Sequence, residues 1–304
     1  MDKKVYAIVV TFNGMEWIDR CLCSLRDSSI SVHTIVVDNC SSDNTVDYVM
    51  QNHPEVELIR SKTNLGFGKG NNIGLKRVME DHVDYAFLLN QDAWVKKNTI
   101  EDMIKCQQKY SEYGILSPVH TKAEGNELDG KFAEYVSSSN TPGLISDFYF
   151  GEYKEVYTTR FVNAAAWLLS RECLEKVGGF SPIYPHYGED EDFVNRCHFH
   201  GFLVGISPMC SVSHDNHFSW EEIEFNVGRN LVMNLVKLTN INKGSRSVWL
   251  LFFKKTFDEI TSYLLFRKFR KCRTRLMSFW KTVMYYNKIN ASRKLSKEGH
   301  AFFE

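Results

Sequence analysis

The sequence predicts an α/β protein with a Rossmann-like, mostly parallel sheet and a helical extension at its C-terminal end. Short apolar runs rich in β-branched residues alternate with segments of helical periodicity over about the first ninety residues. This alternation is typical of a parallel sheet covered by helices. Polar residues follow the ends of several runs, which is where open α/β sheets bind their ligands. At 304 residues, the chain is long enough to bury a substantial core.

The elements of the first half follow one another in regular alternation. Continuous apolar stretches predict strands at residues 5–11, 33–37, 56–59 and 85–89. Helical spacing and capping residues predict helices at 15–25, from Ser42 or Asp43 to 50, and at 69–80. Each of the first three strands is therefore followed by a helix, as the crossover connection of a parallel sheet requires.

The second half has a looser pattern. Gly, Ser and Asn are frequent between residues 110 and 159, and we predict no element there. Further elements are predicted as a strand at 161–170, a short helix closed by Gly178 and Gly179, a helix at 189–200 and a strand at 203–206. After Trp220 the pattern is helical almost to the end of the chain.

The charges balance at 37 basic and 37 acidic residues, but their distribution is uneven. Residues 243–298 carry 15 Lys or Arg and 3 Asp or Glu, whereas the rest of the chain carries 22 and 34. No apolar run approaches the ~20 residues of a membrane span, and no signal peptide is recognised, so we expect a cytoplasmic protein. The eight cysteines lack the paired spacing of a zinc site and are expected to be reduced.

Polar side chains stand where the predicted strands end. Thr11 and Asn13 follow the first strand, Asp38 ends the second, and Asn90-Gln91-Asp92 follows the fourth. Because the carboxyl ends of parallel strands share one edge of the sheet, these residues are expected to meet at one ligand site.

Two further polar positions lie near the ends of predicted strands. A carboxylate at Asp92 is of the type that holds Mg²⁺ or Mn²⁺ together with phosphate oxygens; the alternative is a helix N-cap for the segment from Lys96 onward. His214 lies with Asp215 and His217 in a loop after the last predicted strand. An isolated histidine is more often structural than a ligand. His214 is a candidate because it lies in the same kind of loop as the other predicted site residues.

Residues 64–74 hold four glycines just before a predicted helix. Glycine allows close backbone approach, and the free N–H groups of a helix start attract phosphate. The segment is neither a P-loop nor a dinucleotide fingerprint, so a ligand loop and a tight turn both stay open. Its binding candidates are Asn64, Gly66, Gly70 and Asn71.

Four consecutive carboxylates, Glu189-Asp190-Glu191-Asp192, open a predicted helix. The helix dipole stabilises each by ~0.3–1 kcal/mol at best. Their mutual repulsion can raise a pKa toward that of a working general base. The alternative is a solvated acidic first turn. Arg196 lies nearly on the opposite side of the helix from Asp190 and is expected to pair locally.

Taken together, these segments resemble the family-2 glycosyltransferases and, within them, the rhamnosyltransferase-like branch. The matching pieces occur in the family's order and spacing over about residues 4–220. They are residues 10–13, 36–43, 64–74, 88–92, 161–171, 178–180, 189–192 with Arg196, and His214.

The resemblance implies a GT-A nucleotide-diphospho-sugar transferase fold and inversion at the anomeric carbon. It implies a catalytic domain over residues 1–220, with a nucleotide-binding half to about 118 and an acceptor-side half from about 119, followed by an extension over 221–304. The donor would be a dTDP- or UDP-sugar, and the branch suggests rhamnose. The acceptor would be a hydroxyl of a glycan or polyprenyl-linked glycan in cell-surface polysaccharide synthesis.

Carried over by position, the nucleoside would be held by Thr11, Asn13 and Asp38. Asp92 would be the surviving carboxylate of the family's Asp-x-Asp metal motif, and His214 would help to bind the metal or the diphosphate. The divalent metal would be Mn²⁺ or Mg²⁺.

The same resemblance makes Asp190 the general base, because the family's base directly follows a glutamate, here Glu189. Asp192 stays a contender. Two positions depart from the family pattern. Asn90 replaces the first metal-motif carboxylate, which predicts either weaker metal binding or a metal site that depends more on His214. The usual Gly-Ala of the acceptor-side strand reads Ala164-Ala165.

Residues 243–298 combine positive charge with many aromatic side chains. A basic, aromatic helix of low net hydrophobicity can lie on an anionic membrane surface, so we expect peripheral contact with the inner face of the cell membrane. The alternative is an appendage packed on the catalytic domain or on a second subunit, which leaves a homo-oligomer open. Nucleic-acid binding is not expected, because no reader motif accompanies the charge.

Two other functions fit the sequence less well. A nucleotidyltransferase would need a glycine- and Lys/Arg-rich loop directly after the first strand, and residues 11–14 do not offer one. A catalytically inactive nucleotide-sugar-binding scaffold at the membrane would be favoured by loss of Asp92 or of the carboxylates at 189–192. Both are present, so an active transferase is the preferred prediction.

Overall fold

The computed structural model describes residues 3–215 and 226–303. Over these ranges the chain forms nine strands in one sheet, helices on the sheet's faces and a group of four helices at the C-terminal end. The strands are β1 (Val5–Thr11), β2 (His33–Asp38), β3 (Glu57–Arg60), β4 (Tyr85–Asn90), β5 (Ala93–Val95), β6 (Tyr113–Thr121), β7 (Tyr157–Thr158), β8 (Ala166–Ser170) and β9 (Leu203–His214). The helices are α1 (Ile18–Arg26), α2 (Thr45–Asn52), α3 (Phe67–Glu80), α4 (Thr99–Lys109), α5 (Phe132–Tyr135), α6 (Leu144–Phe150), α7 (Arg171–Val177), α8 (Glu189–Phe199), α9 (Val227–Thr239), α10 (Ser245–Leu265), α11 (Phe269–Met284) and α12 (Tyr286–Leu295).

The sheet is mixed, in the order β3-β2-β1-β4-β8-β6-β9-β5, with β7 pairing to β9. Strands β3, β2, β1 and β4 are all parallel. Strand β8 is antiparallel to both β4 and β6, and β6 and β9 are parallel. The predicted alternation of strands and helices is confirmed for the parallel half, and β8 joins that half to the rest of the sheet.

The helices of the parallel half begin at positions that differ from the prediction. Helix α1 begins at Ile18 rather than residue 15. Helix α2 begins at Thr45, because Asp43 binds the amide and hydroxyl of Thr45 in a turn instead of capping the helix. Helix α3 begins at Phe67 and so includes most of the glycine-rich segment.

Two predictions for the second half were wrong because strand pairing decided the outcome. Strand β6 lies in the segment where no element was predicted, and β9 runs to His214 instead of ending at residue 206. Proline argues against a central strand, yet β6 contains Pro118 and β9 contains Pro208. A register shift between Pro118 and Val119 accommodates the extra residues of β9.

Two glycines set how closely α3 packs on the sheet. A Cβ at Gly74 would lie 2.6 Å from Cγ2 of Ile8, and one at Gly70 would lie 2.8 Å from Cγ1 of Val10. Distances this short leave no room for a larger side chain. The glycines therefore hold the start of α3 against β1, near the carboxyl end of that strand.

The C-terminal helices pack on the rest of the chain. The Tyr184 hydroxyl hydrogen-bonds Thr239 of α9, and the amide of Gly179 donates to the carbonyl of Ala301. Arg293 of α12 donates to the carbonyls of Leu238 and Asn240. Among the described residues, no helix is long and apolar enough to cross a membrane.

Candidate active site

A cleft of about 560 Å³ opens at the carboxyl ends of β1 and β4. Its lining includes several of the predicted site residues, namely Thr11, Asn64, Gly66, Asn90, Gln91 and Asp92. Sequence reasoning did not single out other lining residues, among them Phe12, Asn39, Phe67, Pro185 and His186. The predicted meeting is thus observed for the ends of β1 and β4, and the segment before α8 closes one side of the cleft.

Gln91 joins the loops that follow β1 and β4. Its side-chain oxygen accepts hydrogen bonds from the Thr11 hydroxyl at 2.7 Å and from the Phe12 amide at 2.9 Å. Its amide nitrogen donates to the Phe12 carbonyl at 3.3 Å. These bonds fix the two strand ends relative to each other and leave the Asp92 side chain partly exposed beside them.

Asn39 shapes the glycine-rich side of the cleft. Its side-chain oxygen accepts from the Leu65 amide at 2.7 Å, and its nitrogen donates to Asn64 at 3.0 Å and to the Gly66 carbonyl at 3.3 Å. Gly66 has a φ of 80°, a conformation that favours glycine. Asn39 directly follows Asp38 at the end of β2, and that position was the signal that could have identified it.

Four predicted binding residues serve the loops and helices around the cleft instead of lining it. Asn13, at φ 51°, accepts a hydrogen bond from the Ser42 amide. Asp38 is buried and faces the Ser41 amide. Gly70 packs on β1, and Asn71 is buried with its amide nitrogen donating to the Phe67 carbonyl.

Asp92 and His214 meet because β5 and β9 pair. The register sets Ala93 opposite His214, and the Asp92 Oδ1 lies 3.4 Å from the His214 Nε2. Asn90 is also close, with its Nδ2 3.5 Å from the same nitrogen. Asp92 is followed by β5, so the alternative of a helix N-cap was wrong. His217 lies outside the described residues.

Asp129, which sequence reasoning missed, faces the other ring nitrogen of His214. Its Oδ2 lies 3.4 Å from the His214 Nδ1, and its Oδ1 accepts from the amides of Lys131 and Phe132 at 2.8 Å. Burial opposes protonation of His214, but Asp129 and Asp92 outweigh it and raise the histidine pKa to about 9. Asp129 lies in the segment without a clear pattern, so no local signal indicated it.

Asp192 is fully engaged in structural contacts. Its Oδ2 accepts from the Arg196 Nε at 2.8 Å, and its Oδ1 accepts from the Tyr184 hydroxyl at 3.2 Å. Arg196 also donates to the carbonyls of Val177 and Gly179. Both members of the pair are buried, so Asp192 ties α8 to the segment after α7.

Within residues 3–215 and 226–303, neither Asp190 nor Glu189 has such a partner. Asp190 accepts only a short-range bond from the Glu191 amide among the side-chain bonds of the described residues, and burial raises its pKa to about 6. The nearby Ala164 amide favours its ionised form without reversing that shift. Burial likewise raises the pKa of Glu189 to about 7, and its buried Oε2 has no hydrogen-bond partner in the part of the chain that the structure describes. The start of α8 therefore carries two carboxyl groups whose pKa values lie close to neutral pH.

The glycine-rich and acidic motifs lie against each other. A Cβ at Gly68 would come within 3.4 Å of Cγ of Glu189, so the starts of α3 and α8 are in contact. Burial, together with the charge of Asp190, raises the pKa of the Tyr135 phenol. Carboxyl groups of perturbed pKa beside a cleft are typical of catalytic sites.

A family model described as glycosyl transferase family 2 matches residues 6–178, more than half of the chain. The chain belongs to that family. The match covers every element from β1 to α7 and confirms the resemblance found in the sequence.

Two relatives are rhamnosyltransferases by name. The N-acetylglucosaminyl-diphospho-decaprenol L-rhamnosyltransferase of Mycobacterium tuberculosis is 23% identical over 235 residues, covering 68% of this chain and 74% of the relative. The dTDP-rhamnosyl transferase RfbF of Shigella flexneri is 23% identical over 218 residues, covering 70% of each chain. These two relatives confirm the predicted rhamnosyltransferase-like character of this family-2 member.

Solved structures of similar shape support the fold. The mannosyltransferase PcManGT of Pyrobaculum calidifontis, in complex with GDP-Man and Mn²⁺, has a TM-score of 0.59 at 14% identity and covers 95% of this chain and 88% of that one. S. aureus TarS 1–349, in complex with UDP-GlcNAc, has a TM-score of 0.58 at 16% identity and covers 96% and 86%. At such identities the likeness shows the fold, which is the predicted GT-A fold with C-terminal helices.

Proposed function

We propose that this glycosyltransferase moves a monosaccharide from a nucleoside-diphosphate sugar to a hydroxyl of a glycan or lipid-linked glycan, with inversion, and that Asp190 is its general base. The observation that carries this proposal is the difference between Asp190 and Asp192. Asp192 has both oxygens engaged with Arg196 and Tyr184, whereas burial gives Asp190 a pKa of about 6.

Asp190 suits the removal of a proton from an acceptor hydroxyl. A general base works best when its pKa is near the operating pH, since it is then both ionised and basic. A single displacement inverts the anomeric carbon and needs this base on the face opposite the departing diphosphate. The cleft at the ends of β1 and β4 is the space that we assign to the donor.

The residues around Asp92 fit a divalent cation. A carboxylate suits Mn²⁺ or Mg²⁺, and an imidazole is a common ligand of divalent transition metals. The contact between His214 and Asp129 is the carboxylate support that metal-bound histidines commonly have. Bound there, the cation would neutralise the charge that develops on the departing diphosphate. Asp129 would orient the His214 ring so that its Nε2 faces Asp92.

The relatives guide the choice of substrates. One is named for a dTDP-rhamnosyl transfer and one for a rhamnosyl transfer to a decaprenyl diphosphate-linked sugar. We therefore propose a dTDP- or UDP-sugar donor and a polyprenyl-linked acceptor. We also propose the division into a catalytic domain over 1–220 and a helical extension over 221–304, with donor binding in the half that ends near 118.

A thermal-shift panel of UDP-, dTDP- and GDP-sugars, each with and without Mn²⁺, tests the proposal. A ligand that binds the native state raises its stability by RT ln(1 + [L]/Kd), ~2.7 kcal/mol at a hundredfold excess over Kd. We expect a metal-dependent shift with one nucleotide class. The absence of any shift would contradict donor binding, and a shift without sugar transfer to any acceptor would favour the inactive scaffold.

Asp92→Ala should abolish the Mn²⁺-dependent part of donor binding. The substitution removes an acidic side chain that lines the cleft and lies 3.4 Å from His214. Isothermal titration calorimetry of the donor with and without Mn²⁺ measures the effect, and we expect at least a tenfold loss of affinity in Mn²⁺. Lys96→Ala, an exposed change nearby, is the control. An unchanged affinity in Asp92→Ala would remove this residue from the metal site.

The affinity for Mn²⁺ should rise with pH. Without metal, His214 is protonated at neutral pH because its pKa is raised to about 9, and a histidine must lose that proton to bind a metal. Affinity should therefore increase by up to about tenfold per pH unit from 6.5 to 8.5. Titrations of Mn²⁺ at these pH values provide the measurement, with His214→Gln as the variant expected to lose the slope. An equal slope in both proteins would exclude His214 as a ligand.

A further inference from the structure

The turn between α10 and α11 exposes a cluster of large apolar side chains. Leu264, Leu265, Phe266 and Phe269 are 51%, 75%, 70% and 65% exposed. They lie within six consecutive residues and are interrupted only by Arg267 and Lys268, which are also exposed. We call these six residues the hairpin tip. Contiguous exposed apolar surface of this kind marks an interaction site.

The apolar surface continues from the tip along both helices. Leu250, Phe257 and Leu264 recur every seven residues of α10 and therefore share one face, and all three are exposed. On α11 the exposed residues Leu276 and Trp280 lie on the same helical face as Phe269. The hairpin thus presents an apolar stripe on each helix, and the tip is where the two helices meet.

The inner faces of the hairpin are firmly packed, so the exposed residues are not a loosened core. Arg275 is buried, forms an ion pair with Glu259 at 2.6 Å and donates to Asn234 and Thr256. The rings of Phe252 and Phe279 stack with centroids 5.6 Å apart. One set of side chains therefore packs the hairpin on α9, and a different set faces outward.

The charge of this region indicates what covers the apolar surface. Residues 260–297 include 11 Lys or Arg and no Asp or Glu. The tip itself has Arg267 and Lys268 between its apolar residues, and Arg270, Lys271 and Arg273 follow at once. The cores of protein–protein interfaces are depleted of charged residues, especially lysine. Apolar and aromatic side chains interleaved with basic ones fit an anionic lipid surface instead.

We infer that the α10–α11 hairpin docks this protein on anionic lipid bilayers, with the tip inserted among the headgroups and the basic residues against lipid phosphates. This inference goes beyond the proposed transfer reaction and does not depend on its donor or acceptor. It also narrows the membrane contact expected for residues 243–298 to a packed hairpin that contacts the bilayer through its turn.

Sedimentation with vesicles of phosphatidylglycerol and phosphatidylcholine tests the inference. The full-length protein should sediment with mixed vesicles, sediment about tenfold less with pure phosphatidylcholine, and be released as salt rises, because basic residues lose attraction to anionic lipid when screened. The double variant Phe266→Ser/Phe269→Ser should bind mixed vesicles at least tenfold more weakly. The variant Arg267→Glu/Lys268→Glu should do the same and lose the dependence on anionic lipid.

The matched controls change exposed residues of the same kinds elsewhere. Met50→Ser/Met209→Ser alters two exposed apolar residues, and Lys96→Glu/Lys97→Glu alters two exposed lysines. Both should sediment like the wild type. Equal binding by the tip variants, or no binding by the wild type, would overturn the inference. So would a vesicle-independent dimer that the tip variants abolish, since the tip would then contact a second copy.

The outcomes separate this inference from the proposed function. Donor-induced thermal shifts in the absence of vesicles should be the same in the tip variants and the wild type. If the protein sediments through its tip but shows no donor-induced thermal shift, only the proposed transferase function is contradicted. If it shows the donor-induced shift but does not bind vesicles, only the membrane inference is contradicted.

Discussion

Replacing Asp190 with Asn should lower the rate of sugar transfer by about 10²–10⁴-fold, the usual contribution of a general base. Asparagine has the same shape but cannot accept the proton of the acceptor hydroxyl. In the wild type, the same assignment predicts that the rate falls as pH drops through about 6, where Asp190 becomes protonated. Initial rates over pH 5–8, with saturating donor and Mn²⁺, measure both effects.

The fold and the donor site of this variant should be intact. Burial raises the pKa of Asp190, so its charge is disfavoured in the folded state at neutral pH. Removing the charge should therefore leave the melting temperature unchanged or higher, and donor affinity should stay within a few-fold. Glu191→Gln, at the exposed neighbour, should remain active. An active Asp190→Asn together with a folded but inactive Asp192→Asn would assign the base to Asp192.

Replacing Asp192 with Asn should destabilise the protein by about 3–5 kcal/mol, the usual cost of removing one partner of a buried ion pair. The change leaves the buried guanidinium of Arg196 without its anion, because its other acceptors are the neutral carbonyls of Val177 and Gly179. Chemical denaturation, or the fall in melting temperature, measures the loss. This is the opposite of the effect expected at Asp190, only two residues away.

Glu191→Gln is the matched control for this prediction as well, since it removes a carboxylate from the same helical turn at an exposed position. Its stability should be close to that of the wild type. If Asp192→Asn were as stable as Glu191→Gln, the Asp192–Arg196 pair would not hold α8 in place. The structural role of Asp192, and with it the argument for Asp190 as the base, would then lose its support.

Much of the site was predictable because its residues sit at the ends of locally recognisable elements. Thr11, Asn90 and Asp92 follow strands whose apolar, β-branched character is evident in the sequence, and they do line the cleft. Asn13 and Asp38 also follow strands, but the structure engages them in the loops beside the cleft. The position of a residue after a strand predicts that it lies at the edge of the sheet. The direction of its side chain depends on hydrogen bonds that a local sequence pattern does not predict.

The choice between Asp190 and Asp192 shows the same limit. Both lie in one run of four carboxylates, and helical periodicity alone leaves both as candidates. The structure separates them because the buried Asp192 accepts from Arg196 and Tyr184. Asp190 has no ion-pair partner among the described residues. The local pairing expected for Arg196 is observed, and its partner is the acidic residue four positions earlier.

By itself, the sequence determined the parallel half of the sheet, the family and the motifs around the cleft, because these depend on periodicity and short-range order. Only the tertiary structure showed that Asp92, His214 and Asp129 lie together. Asp92 and His214 meet through the pairing of β5 with β9, and Asp129 reaches His214 from a segment without regular periodicity. These contacts join residues far apart in the chain, and their geometry comes from strand register and a bulge at a proline, which local preferences do not specify.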